Sequence, residues 1–299
     1  MVPHTRKITP ESKAVFDNLI KYAIAPRPIC FASTVDSDGK VNLSPFSYFT
    51  MVSHQPPICV FAPVRRMRDG TTKHTYENIL QVPEVVINIV NYAMVHQQSL
   101  ASAEYDRGVD EFAKTGFTPV ASELVAPPRV AESPVQLECR VRDVISLGDN
   151  PGGGSLILAE VLLMHVQDGL LDGQGAIRLA DLDLVARLGG NWYCRVTADS
   201  LFEVPKPQRS RGIGVDGLPE AIRYSPVLTG NHLGQLASVE RLPTLDPKGA
   251  VHGDKTLQDL KAKFHGDKAT LQLHLHRKAA GLLDQGMLID AWQVLLLGL

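Results

Sequence analysis

The sequence predicts a mainly β fold with inserted helices (α+β), arranged as a Greek-key barrel and followed by a helical extension. Three observations predict it. Two apolar runs flank Asp36-Ser37-Asp38-Gly39, a hairpin signal, because Gly39 can take positive φ without a Cβ penalty. Residues 135–148 (VQLECRVRDVISLG) alternate apolar and polar, and after the turn Asp149-Asn150-Pro151-Gly152-Gly153-Gly154 the run 155–169 returns as a partner strand. Helical stretches interrupt the strands with no repeated βαβ pattern, which argues against a parallel sheet.

Taken in order, residues 9–22 read as a helix. Thr9 can cap it, Pro10 suits the first helical position, and Glu11 favours the N-terminus. Val15, Phe16, Leu19 and Ile20 form its apolar stripe, expected to lid one end of the barrel. Residues 29–35 are strand formers. The next run, 41–53, mixes Asn42, Ser44, Ser47 and Thr50 with apolar residues and carries Pro45 in its middle. Proline removes a ladder donor, so this strand is expected to kink or leave the sheet there. It is either an irregular edge strand or a place where amides and hydroxyls meet a flat polar ligand.

A turn at Gln55-Pro56-Pro57 leads to a short buried strand, 58–62. The loop 65–75 is basic and rich in hydroxyls, and feeds a helix carrying Tyr76, Ile79 and Leu80. Free amides and cations at a helix start can bind phosphate, with Lys73 as a point charge and Thr75 as a hydroxyl donor. Residues 84–91 read as a strand, 93–102 as a helix, and 105–118 as a short amphipathic helix between glycines. Leu188-Gly189-Gly190-Asn191 reads as a tight turn before a last strand carrying Trp192 and Tyr193. Residues 267–283 and 287–297 are helical, broken at Gln285-Gly286.

Several classes are excluded. A formal net charge of −2 gives no reason to expect nucleic acid or an anionic membrane surface as partner. Residues 1–13 hold no signal-peptide core, and no apolar run approaches the ~20 residues of a membrane span. Cys30, Cys59, Cys139 and Cys194 are widely spaced in apolar surroundings, which points to buried reduced thiols and a cytoplasmic protein. The triple glycine lies between strands, so it is not a dinucleotide fingerprint, which needs a following helix. No Walker loop, zinc spacing or nucleophile elbow occurs, and no metal site is expected. His274 and His276 would face apart on a helix.

The stretch PRPICFASTVDSDGKVNLSPFSYFTMVSHQPP resembles the opening signature of the flavin reductase-like, FMN-binding split-barrel family, which includes flavoredoxin and the reductase components of two-component monooxygenases. The resemblance runs from about residue 8 to 205. It continues through Lys73-His74-Thr75, where the family usually has Lys-Asp-Thr, through GVDEF and GFTP, through SLILAEVLLMHV with His165, and through Arg187-Leu188-Gly189-Gly190 before an aromatic. It implies an FMN-binding split-barrel domain at 1–204, as a homodimer with FMN near the subunit contact. Residues 205–299 then form a largely helical extension, net +3 against −5 for the rest, packing on the barrel or on a second subunit.

The resemblance also implies roles. Asn42 and Ser44, with the backbone of Pro45, Phe46 and Ser47, would address the flavin ring. Arg27, Thr34, Lys73, His74 and Thr75 would take the phosphate and ribityl end, and His165 could contact flavin or substrate. No acid or base catalyst is named, because the flavin carries the chemistry. The implied activity is FMN-dependent oxidoreduction, an NAD(P)H:flavin reductase with NADH or NADPH as co-substrate and an oxygenase or other electron acceptor as possible partner. Two other readings are an FMN electron carrier reduced by a partner protein, and a non-catalytic ligand-binding or scaffold barrel.

Overall fold

The computed structural model describes residues 4–205, 211–246 and 249–299. The chain divides into two compact units, Met1–Phe202 and Glu203–Leu299. In the first, α1 (Lys13–Ala23) precedes β1 (Cys30–Val35), β2 (Val41–Phe46), β3 (Phe49–His54) and β4 (Pro57–Phe61). Then come α2 (His74–Gln81), β5 (Glu84–Ile89), α3 (Val95–Leu100) and α4 (Glu111–Thr115). The short pair β6 (Pro119–Val120) and β7 (Arg129–Val130) leads to the long hairpin of β8 (Val135–Ser146) and β9 (Ser155–Val166). A second hairpin, β10 (Val185–Gly189) and β11 (Trp192–Arg195), closes the unit.

Seven strands form one antiparallel sheet in the order β2-β1-β5-β8-β9-β4-β3. Its two edge strands, β2 and β3, are consecutive in the chain, with only Ser47 and Tyr48 between them. Phe46 and Phe49 therefore lie within about 11 Å of each other, the reach of three extended residues. A flat seven-stranded sheet would hold its edges much further apart. The sheet has to curl until its edges approach, and they do so without pairing: this is a split barrel.

Alternation along the strands sorts the side chains. Cys30, Ala32, Val85, Ile87, Leu137, Cys139, Ile157 and Ala159 fill the barrel interior with Phe46 and Phe61. The neighbours on β1 point the other way, and Ile29 and Phe31 join Leu43, Met94, Phe112 and Phe117 in an outer cluster roofed by α3 and α4. Every residue of β1 is buried as a result. Cys30, Cys59 and Cys139 are buried free thiols, and Cys194 is a half-buried one. Burial pushes the first three up from the usual thiol range.

Two expectations need correction. β2 neither kinks out nor ends at Pro45: it runs on to Phe46, with Pro45 opposite Phe31. β2 is an edge strand, and an edge tolerates the missing donor. Helix α1 starts at Lys13 with Ser12 before it, not at Thr9–Pro10, because the Thr9 hydroxyl bonds the Glu11 carboxylate instead of capping amides. Val15, Leu19 and Ile20 remain exposed on it.

The second unit contains six α-helices among its described residues: α5 (Glu220–Arg223), α6 (Gly230–Leu236), α7 (Ala250–Gly253), α8 (Lys255–Lys263), α9 (Lys268–Asp284) and α10 (Leu288–Leu296). It has its own core, with Trp292 fully buried among Leu236, Leu257, Leu275 and Leu283. Asp254 and Asp267 cap α8 and α9. Three of the five histidines of this unit have structural partners: His276 meets Ser225 at 2.7 Å, His232 meets Asp284 at 2.9 Å, and His274 stacks on Phe264. Among the described residues no group could hold a metal ion, and no helix is long and apolar enough to cross a membrane.

Candidate functional site

Two buried side-chain hydrogen bonds tie the start of helix α2 to the hairpin of β1 and β2, and Ser37 in the hairpin turn bonds Gln81 at the helix's other end. Thr34 and Asn42 are cross-strand partners. Thr75 and Asn78 are one helical turn apart. Asn42 Nδ2 donates to Thr75 Oγ1 at 2.9 Å, and Asn78 Nδ2 donates to Thr34 Oγ1 at 3.2 Å. All four residues are buried. A spacing of three on a helix thus meets a cross-strand pair on a hairpin, and buried polar groups satisfy each other. The consequence is a fixed start for α2 beside the edge of β2.

Around that start lies a polar pocket lined by Asn42, Ser44, Arg66, Lys73, His74 and Thr75, with Ser102, Glu104, Tyr105 and Glu111 on the far wall. The amides of His74 and Thr75 belong to the first turn of α2, where amides have no intrahelical acceptor. The first backbone bond to Lys73 comes from Tyr76. Thr75 Oγ1 accepts from Asn42, so its own proton can be donated, and Asn42 keeps Oδ1 as an acceptor.

The loop before α2 is braced internally. Arg66 donates to the Thr71 hydroxyl at 3.0 Å and to the Thr72 carbonyl, and Arg65 reaches the Gly70 carbonyl and Asp149. Asp69 takes the hydroxyl and amide of Thr71 at 2.6 and 3.0 Å, which holds its carboxyl down at about 2. Gly70 stands at φ +71°, a turn few other residues would take.

The charges converge on one carboxylate. Glu104 lies 3.3 Å from Arg66, 3.3 Å from Arg68 and 3.7 Å from Lys73. Burial, then the neighbouring Arg66, lowers the Lys73 pKa, and Glu104 offsets part of this. Burial also lowers His74, which keeps its ring neutral near pH 7. Glu111 is buried behind β2, where it accepts the Leu43 amide at 3.0 Å; burial raises its carboxyl.

Of the residues the sequence singled out, Asn42, Ser44, Lys73, His74 and Thr75 meet in this pocket. Thr34 lies just beneath, behind Asn78. Arg27 is elsewhere: its guanidinium ties the carbonyls of Lys21, Ile24 and Leu188, joining the end of α1 to the β10–β11 hairpin. Pro45 and Ser47 are half-buried at the end of β2, and the Phe46 ring points into the barrel, 5.5 Å from that of Phe61. His165 bonds Glu138, a fully buried carboxylate that also takes the amides of Glu123 and Leu124. Burial alone would raise Glu138; those amides and His165 outweigh it and bring it below the usual range. Arg66, Glu104 and Glu111 were missed. Arg66 sat visibly in the basic loop and Glu111 in the GVDEF stretch, whereas no motif marks Glu104, which reaches the pocket only through the fold.

A larger cleft of about 430 Å³ lies between α3 and the β10–β11 hairpin. Its arginines are already engaged. Arg195 grips Asp183 at 2.6 and 2.8 Å, with its guanidinium over Tyr92, and Arg187 donates to the Gly190 carbonyl and stacks on Tyr193. The pocket at α2 adds to its cations the first-turn amides of His74 and Thr75 and the Thr75 hydroxyl proton as donors.

Residues 22–180 match the model of the flavin reductase like domain. The chain belongs to this family. An uncharacterised protein of Aquifex aeolicus is 32% identical over 186 residues, spanning 62% of this chain and 92% of the relative. Nitrilotriacetate monooxygenase component B from Bacillus cereus aligns with TM-score 0.63 and 27% identity over 68% of this chain and all of its own. A split barrel domain of flavin reductase type from Shewanella frigidimarina aligns with TM-score 0.56 and 27% identity, over 67% of this chain and 94% of its own. The alignments cover the barrel's share of the chain, and the chain is a flavin-related oxidoreductase by family.

Proposed function

We propose that the protein is an FMN-dependent oxidoreductase, specifically an NAD(P)H:flavin reductase. One observation carries the reading. A fixed helix start supplies amides, the Thr75 hydroxyl, Lys73 and Arg66 to one pocket, beside the polar edge of β2. This donor set suits a phosphate monoester, and Ser44 with Asn42 Oδ1 suits the polar rim of a flavin ring. When bound, FMN would supply hydride acceptance from a nicotinamide and onward electron transfer.

The chain's own residues do the rest. Lys73 and Arg66 neutralise the phosphate, and Thr75 orients it. Asn42 holds Thr75 in place and, with Ser44 and the backbone through Ser47, addresses the ring. Thr34 and Asn78 keep the helix start from shifting. Neutral His74 contributes its amide in place of the family's usual aspartate.

The working form is a homodimer. Unit 1 exposes Leu19, Tyr22 and Ile24 around α1 and Met51 and Val52 on edge strand β3, apolar area of the kind a partner covers. Component B, as its name states, belongs to a monooxygenase, which supports an oxygenase as one acceptor for the electrons. Three buried unpaired thiols in the barrel suit a reducing cytoplasm.

The test is the visible spectrum of FMN-loaded protein under anaerobic conditions, with NADH and then NADPH added. Bleaching by either nicotinamide supports the reductase. A bound flavin that neither reduces overturns it in favour of an electron carrier fed by a protein.

A further inference from the structure

The phosphate cradle contains a carboxylate of its own. Glu104 stands at the pocket wall and bridges Arg66, Arg68 and Lys73 at 3.3, 3.3 and 3.7 Å, the three cations that approach the start of α2 from the loop side. Two of these, Arg66 and Lys73, line the pocket with it. Arg68 has a second carboxylate, Asp69, but Asp69 is committed to Thr71 and lies outside the pocket lining. Among the described residues, Glu104 contacts only these three cations. It is about half exposed, in the turn after α3, and can swing to solvent at little cost.

Resting on the flavin reading above, we propose that Glu104 is a displaceable stand-in for the phosphate, which FMN must evict to reach Lys73 and Arg66. Two like charges cannot share these cations without repulsion. Glu104 therefore weakens every ligand that brings a phosphate to the cradle and leaves a ligand without one untouched. It lowers the preference for FMN over riboflavin, which favours exchange of the flavin over its permanent retention.

The experiment compares FMN and riboflavin affinities, by flavin fluorescence titration, for the wild-type protein and E104Q. A thermal-shift series with inorganic phosphate reads the cradle without any flavin. The expected result is a roughly three- to tenfold tightening for FMN in E104Q, the scale of a few partly exposed ion pairs. Riboflavin affinity should stay within about twofold, and phosphate should raise the melting temperature more in E104Q than in wild type. FMN affinity that falls or stays level in E104Q, while riboflavin still binds, overturns the proposal and makes Glu104 a brace that holds the cations in place. Failure of both flavins to bind the wild-type protein would instead overturn the flavin reading, and the inference with it.

Discussion

Lys73 and Asn42 make different kinds of contribution. Lys73 is half-buried, and its neighbours Arg66 and Glu104 partly cancel. K73A should weaken FMN binding by about 1–2 kcal/mol, discounted from a fully buried charge-assisted bond for solvent screening. Titration of the variant checks this; unchanged affinity would remove Lys73 from the site. The Lys73-His74-Thr75 run was legible because basic and hydroxyl residues before a helix have a local physical reason to cluster. Arg27 was singled out for an equally physical reason, and the structure sets it apart from the α2 pocket. A cation beside a signature strand reads as a ligand contact, but three carbonyls from distant segments claim its guanidinium. Contacts as far apart in sequence as Arg27 and Leu188 leave no local trace.

At the scale of elements, the site depends on how α2 is attached to the β1–β2 hairpin. N78A would leave the Thr34 hydroxyl buried without its donor, a cost of about 1–3 kcal/mol. It should lower the denaturation midpoint and also weaken FMN, because the helix start loses one of its two anchors. Loss of stability with FMN affinity intact would show that the helix start holds its place without the Asn78 bond. The strands and most helices were legible from period-2 alternation, Asp-Gly and caps. The continuation of β2 through Pro45 was not, since whether a proline breaks a strand depends on whether that strand is an edge. The late start of α1 was missed because Thr9 and Pro10 form a plausible cap that the Glu11 carboxylate competes away.

At the scale of the whole molecule, barrel and helical unit each have a core of their own. Residues 1–202 produced alone should fold and keep FMN affinity within a few-fold of the full chain; an insoluble or flavin-blind product would contradict this. The helical unit should be acid-sensitive. Burial lowers the folded pKa of His276 below its ordinary 6.5, so the fold favours the neutral ring. Its stabilising effect is complete above that value and is lost as pH falls below it. Thermal melts of the full chain between pH 7 and 5 should show the unit's transition moving down, and H276Q should flatten that slope. The helical character of the extension could be read from its apolar stripes, but its separate core could not, because a stripe does not reveal what covers it. FMN binding at the start of α2 underlies both the reductase reading and the role of Glu104. The most direct measurement is the visible absorbance of purified protein supplied with FMN and freed of excess by gel filtration, for wild type beside K73A. A flavin spectrum should travel with the wild-type protein, and a reduced share with K73A. Protein that emerges without flavin, or the same share in both, would contradict it.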